Sequence, residues 1–180
     1  VRNDRVIWAT CMVACGDADG AVTGNTRRFG ASLEKIKHVV DVRNGEIMFG
    51  LNMVVHKSKT IFVGDTSVHE YPTSEQMAKM AISTARVVRL FGFNPKVAFV
   101  SHSTFGQPLT SRTKHIRKAV DILKEKKVDF EFDGDMQPDV ALNPEYEELY
   151  PFSKIVGKAN ILIMPGQHSA AISYKMMKTL

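Results

Sequence analysis

Apolar positions recur at helical spacing in some stretches of this chain and run continuously or alternate in others, and each change of period marks an element. Asn3 to Cys15 reads as a helix stopped by Gly16, followed by a short strand at Gly20 to Gly24 and an amphipathic helix at Ser32 to Val42. Ile47 to His56 and Lys59 to Gly64 flank His56-Lys57-Ser58-Lys59 and predict an antiparallel hairpin. Thr73 can cap the next helix together with Gln76, and Met77, Met80, Ala81, Thr84 and Val88 carry its apolar face to about Phe91. Lys96 to His102 is then a buried strand, Ser103 to Ser111 a loop, and the charged stretch to Lys127 a helix. A strand at Asp129 to Phe132 leads into an acidic loop, and Pro138 to Leu149 has a helical pattern. Asn160 to Met164 is an apolar strand, Pro165-Gly166 a turn, and Ser169 to Leu180 the last helix.

This alternation of strand and helix predicts an α/β fold of three layers, a largely parallel sheet with helices on both faces. With 180 residues, 44% hydrophobic and 24% charged, the chain has the composition of one or at most two compact units and not of a disordered or collagenous one. The longest charge-free apolar stretch, Val6 to Gly16, is shorter than the roughly 18 residues a spanning helix requires, which argues against a membrane partner. Cys11 and Cys15 share a helix face with no other thiol to pair with, so they read as packing groups in a reducing, cytoplasmic compartment. There is no initiator Met, and the expectation is a piece of a longer polypeptide.

The net charge of +5 raises a nucleic-acid reading. Arg112, Lys114, Arg117, Lys118, Lys124, Lys126 and Lys127 do crowd one helix, but Asp121 and Glu125 interrupt them and no aromatic residues interleave. A solvated helix face accounts for the run, and no nucleic acid is expected. A modest positive excess also suits a small polyanion.

Ligands of open parallel sheets bind beyond the carboxyl ends of the strands. That rule selects Thr23-Gly24-Asn25-Thr26, Ser101 to Gly106, Asp133 to Gln137 and Pro165 to Ser169. His102 and His168 fall in these loops and read as hydrogen-bonded structural groups before catalysts; the six histidines have no metal-ligand spacing. Asp133, Asp135 and Asp139 fit either a divalent cation or the cap of the following helix. Gly157-Lys158 precedes a strand rather than opening a helix, and no Gly-x-Gly-x-x-Gly occurs, so phosphate-loop and nicotinamide fingerprints are both missing.

Four segments together, Gly16-Asp17-Ala18-Asp19-Gly20-Ala21-Val22-Thr23-Gly24, Lys96 to Gly106, Asp133 to Asp139 and Gly157 to Pro165, resemble the phosphate acetyl/butyryltransferase family over essentially the whole chain. More narrowly, Val63 to His69, Ser103 to Gly106 and Pro165 to Ala170 resemble the transferase-like C-terminal domain of bacterial hybrid NADP-dependent malic enzymes. The resemblance implies a dimeric, two-domain fold related to isocitrate and isopropylmalate dehydrogenases, with coenzyme A between the domains. Residues 1–45 would belong to the first subdomain, and 46–180 to a second that is incomplete at its C-terminal side.

Transferases of the family carry an Arg on the helix after the Thr23-Gly24 loop, where this chain has Glu34. Two like charges about 4 Å apart at an effective dielectric near 20 repel by roughly 4 kcal/mol, so a Glu facing phosphate opposes the binding that an Arg promotes. Arg27 and Arg28 stand nearby as substitutes, the family's Ser-Arg-Gly-Cys motif lies downstream of Leu180, and the loop after Met164 has His168 and Ala171 where transferases have an acid and an Asn. The resemblance therefore implies a regulatory, oligomer-forming domain that binds acetyl-CoA as an effector and has no catalytic residue of its own. Its ligand contacts would be Thr23, Asn25, Arg28, Ser101, Ser103, Thr104, Gln137, His168 and Ser169, with Glu34 marking lost activity. NADP, a divalent metal and the oxidoreductase step on malate would belong to an N-terminal malic-enzyme domain of the same chain. The alternative is an active phosphate acetyltransferase that moves acetyl between acetyl phosphate and CoA.

Overall fold

The computed structural model describes residues 3–56 and 59–179, and the chain divides into two compact units, 1–45 and 46–180. Lys57 and Ser58 of the expected hairpin turn, and Leu180 at the end of the last expected helix, lie outside the described residues.

The first unit is built on two helices. In α1 (Arg5–Cys15), Asp4 caps the start by accepting from the N–H groups of Val6 (3.0 Å) and Ile7 (3.3 Å), and Gly16 ends it with φ +81°. The Asp4 carboxylate also binds Arg27 at 3.0 Å and Lys35, which ties the loop and α2 (Phe29–Lys37) to the head of α1. Helix α2 starts and stops earlier than its apolar pattern suggests, because the His38 ring and its own backbone close the last turn before the β-branched Val39-Val40. The strand expected at Gly20 to Gly24 is absent: those residues are exposed and join no ladder.

The second unit holds a five-stranded sheet in the order β1-β2-β5-β3-β4. β1 (Leu51–His56) and β2 (Lys59–Gly64) form the antiparallel hairpin, while β2, β5 (Ile161–Ile163), β3 (Lys96–Val100) and β4 (Glu131–Met136) run parallel. Side chains alternate across such strands, and the two faces sort accordingly. Phe62, Val97, Phe99, Ile161 and Ile163 pack with α3 (Ser74–Leu90) and α4 (Ser111–Glu125). Val63, Ala98, Val100, Leu162 and Met164 pack on the opposite side with residues of α5 (Pro138–Leu142) and α6 (Gln167–Thr179). The expected three layers are present.

The capping box at Thr73 and Gln76 forms as its spacing predicts, and α4 begins with a second one from Thr110 and Thr113. Two expectations fail for physical reasons. β4 runs on through Asp133-Gly134-Asp135, read from sequence as a loop, because Gly134 lets it lie so close to β3 that an added Cβ would meet the Phe99 carbonyl at 2.7 Å. The helix expected over Pro138 to Leu149 stops at Leu142, since Pro144 has no N–H to continue it; a 3₁₀ turn at Pro144–Tyr146 follows.

Candidate functional site

Two buried carboxylates hold the loops at the carboxyl edge of the sheet. Asp65, directly after β2, is 1% exposed. It accepts from the backbone N–H groups of Gly50 (2.7 Å), Ser67 (2.8 Å), Val68 (3.1 Å) and His69 (2.7 Å), and from His69 Nδ1 at 2.7 Å. Asp135, near the end of β4, has no exposed surface. Its side chain accepts from Ser103 Oγ and from the Gly106 N–H (3.0 Å), and its carbonyl accepts from the Phe105 N–H at 2.6 Å. Buried charge is tolerated where hydrogen bonds replace water, and here they fix each loop from beneath.

The residues predicted to bind ligand fall into three groups. Ser101, Ser103, Thr104 and Gln137 share the corner where β3 and β4 end. Ser103 is fully buried, with its hydroxyl donating to Asp135 and 3.1 Å from Ser101 Oγ, so it supports the loop. Thr104 Oγ1 accepts from the Gln137 N–H (3.3 Å), and Gln137 Nε2 donates to the His102 carbonyl at 2.8 Å. His168 and Ser169 sit at the start of α6: Ser169 Oγ donates to the Gly166 carbonyl (2.8 Å), and His168 Nε2 is exposed 3.5 Å from Glu70 Oε1. In the first unit Thr23, Asn25 and Arg28 are exposed, Asn25 taking φ +62°, a region Asn tolerates. Arg27 is held by Asp4, and Glu34 is exposed with Oε1 3.2 Å from Lys37 Nζ.

Asp133, Asp135 and Asp139 do not converge. Asp133 accepts from the Gly134 N–H and Asp139 from Tyr146 Oη at 3.3 Å, and that neighbouring negative charge pushes the Tyr146 phenol up. Among the described residues no three His, Cys, Asp or Glu side chains are placed to hold a metal ion.

A cavity of about 370 Å³ opens where the loops after β2, β5 and β3 meet, a usual size for a small-molecule site. Pro72, Thr73, Ser111, Arg112, His115 and Pro165 are among the residues that line it. The Arg112 guanidinium lies 4.9 Å from the centre of the Tyr71 ring, which steadies it by a cation–π contact. His115 Nε2 is 3.0 Å from the Pro72 carbonyl and Nδ1 is 3.1 Å from Ser74 Oγ, so both ring nitrogens have partners. Glu75 stands at the start of α3, its carboxyl held below the ordinary range by its own backbone N–H and then by Lys118. Sequence reading passed over Asp65, Tyr71, Arg112 and His115 as site residues. Its strand-end rule stopped short of the helix starts, although the Tyr71-Pro72-Thr73 signal pointed at one of them.

A mostly parallel sheet with helices on both faces and a cavity at its carboxyl edge defines an open α/β architecture, the class in which ligands bind beyond the strand ends. The chain belongs to the phosphate acetyl/butaryl transferase family, whose model matches residues 1–180. It is 44% identical over 180 residues to an NADP-dependent malic enzyme of Rhizobium meliloti (strain 1021), covering all of this chain and 24% of that protein. It is 29% identical over 178 residues to a phosphate acetyltransferase of Buchnera aphidicola, covering 98% of this chain and 25% of that one. It thus spans about a quarter of the length of these curated relatives. A phosphotransacetylase structure from Streptococcus pyogenes superposes with a TM-score of 0.88 at 25% identity, covering 96% of this chain and 54% of that one. No helix among the described residues is long and apolar enough to cross a membrane.

Proposed function

We propose that this chain is the phosphotransacetylase-like part of an NADP-dependent malic enzyme, binds acetyl-CoA or a related CoA ester as a cytoplasmic regulatory signal, assembles at least as a dimer, and carries out no acyl transfer. The cavity at the carboxyl edge carries this reading. Its wall offers a guanidinium for an anion, hydroxyls at Thr73 and Ser111, and apolar surface, while its imidazole is tied to Pro72 and Ser74. Such a wall binds and orients; acyl transfer needs in addition a base placed to generate a thiolate and donors aimed at the oxyanion. Glu34, which stands where transferases of the family carry an Arg, is exposed beside Lys37, so the reading rests on the cavity and not on that position. Occupancy reaches a partner active site only if the ester prefers one of two conformations. NADP, the metal and the decarboxylation of malate belong in this reading to the N-terminal part of the same polypeptide.

Calorimetry with acetyl-CoA tests the proposal. Saturable heat and a raised unfolding temperature are expected, since a ligand that prefers the folded state stabilises it. Acetyl phosphate and CoA mixed with the protein should give no thioester absorbance above background. Turnover would instead establish a working acetyltransferase, and absence of both heat and turnover would leave only a scaffold.

A further inference from the structure

A second cavity, of about 460 Å³, lies between α5 and α6, on the face of the sheet opposite α3 and α4. Leu142, Asn143, Leu162, Met164, Met176 and Met177 are among its lining residues, so its floor is the sheet and its walls are the two helices. The groove follows from a truncated helix. Pro144 stops α5 after 5 residues, which leaves α6, with 13, without a neighbour of its own length over β5.

Helix α6 is apolar on two sides. Ala170, Tyr174 and Met177 recur at helical spacing and pack on the sheet. Ile172 and Met176, four residues apart and so stacked one above the other, are 60% and 58% exposed. Met176 also lines the groove, and the pair therefore forms a ridge along its lip. A surface helix of a globular protein buries one stripe and keeps the other polar; a second apolar stripe beside an apolar groove marks a face that something else covers. A small apolar molecule would fill the groove and leave the ridge bare, whereas a protein surface covers both. Methionine suits such a contact, because its unbranched side chain adapts to the partner.

The face is also complementary to itself. It carries a ridge beside a groove, and a twofold axis lets the ridge of each copy enter the groove of the other. The charges agree with this. Lys175 and Lys178 on α6 have no carboxylate partner among the described residues, and Asp139, Glu145 and Glu148, on and just after α5, have no cationic one. A twofold that sets α6 of one copy against α5 of the other brings those cations to those carboxylates.

We propose that this α5–α6 face is where two copies of the chain meet, the Ile172–Met176 ridge of each seated between α5 and α6 of the other. It rests on the dimeric assembly proposed above and gives that assembly a surface.

The test is sedimentation velocity on the whole chain over a range of concentrations, with peroxide oxidation of methionines, read by mass spectrometry, to locate the contact. A dimer is expected in which Met176 is oxidised severalfold more slowly than in the dilute monomer, while Met12, 39% exposed on α1, keeps one rate. Met176→Glu places a carboxylate in the apolar contact once per copy and should raise the dissociation constant by about a hundredfold or more. Urea unfolding of that variant at high dilution should match the native chain at the same dilution, since Met176 is exposed in the single chain; Ile172→Glu keeps the test decisive if it does not. The proposal is overturned if neither substitution weakens the dimer, or if Met176 is oxidised equally fast in dimer and monomer; the dimer then stands on another face. A chain that stays monomeric up to about 100 µM overturns both the surface and the dimer, and shielding of Met176 by decanoate in that monomer would mark the groove as a small-molecule site instead.

Discussion

His69 Nδ1 lies 2.7 Å from Oδ2 of Asp65, a carboxylate that is also surrounded by four backbone N–H groups. The pair fixes the segment leading from β2 into α3, and so the Tyr71-Pro72-Thr73 wall of the Arg112 cavity. Asp65→Ala strands those donors in a buried place, where each unsatisfied group costs about 1–3 kcal/mol. The expected result is a loss of roughly 3 kcal/mol or more in urea unfolding, with His69→Ala costing less because the N–H bonds to Asp65 survive.

Arg112→Ala is expected to leave the unfolding midpoint almost unchanged, since an exposed cation–π contact contributes only about 0.5–1 kcal/mol. Acetyl-CoA affinity measured by calorimetry should fall by about tenfold, the loss of one charged hydrogen bond. Unchanged affinity would move the ester away from this cavity.

Gly134→Ala introduces a Cβ 2.7 Å from the Phe99 carbonyl and 2.8 Å from its Cβ, at φ +147°. Neither neighbour can retreat, because both belong to β3, which is held between β5 and β4. Destabilisation of about 2 kcal/mol or more is expected in chemical denaturation.

Thr84 is fully buried on α3, and its hydroxyl finds no partner among the described residues. Thr84→Val keeps the shape and removes the stranded group, so stability should rise by about 1 kcal/mol. A loss on substitution would reveal a partner for the hydroxyl.

Asp4 gives the first unit its acid sensitivity. Lys35, and after it Arg27, hold its carboxyl well below the ordinary range, so the folded state binds that proton less readily than the unfolded state. The resulting stability is complete above the normal carboxyl value near 4 and is lost as pH falls below it toward the depressed folded value. Trp8, the single tryptophan, lies on α1 and reports the transition by fluorescence. Asp4→Asn retains a good cap and should flatten the dependence between pH 5 and 2, on the order of the range over which such a carboxylate titrates.

Hydrophobic period and cap spacing were enough to read α1, the hairpin, α3, α4 and the strand-helix alternation, because local preference and burial agree there. The β4 end was not legible. Asp-Gly-Asp has loop character by itself, and only β3 alongside makes Gly134 necessary and Asp135 a buried acceptor. The short strand expected at Gly20 to Gly24 had the residues but no neighbour to pair with. The loop rule pointed to Ser101, Ser103, Thr104 and Gln137, which the fold does bring to one corner, yet it could not show that the Ser103 hydroxyl turns inward to Asp135 or that the Arg112 cavity is lined by other residues. Arg112 and Arg117 looked alike in a basic run; only the fold sets one over a tyrosine ring and the other over a glycine.

The two strand-end aspartates have a consequence for how this rim tolerates change. Because Asp65 and Asp135 anchor the rim from inside the sheet, outward-facing residues such as His102 and His168 carry little of the architecture. Such positions are free to drift, and a scaffold of this kind can trade one chemistry for another, or fall silent, without having to learn to fold again.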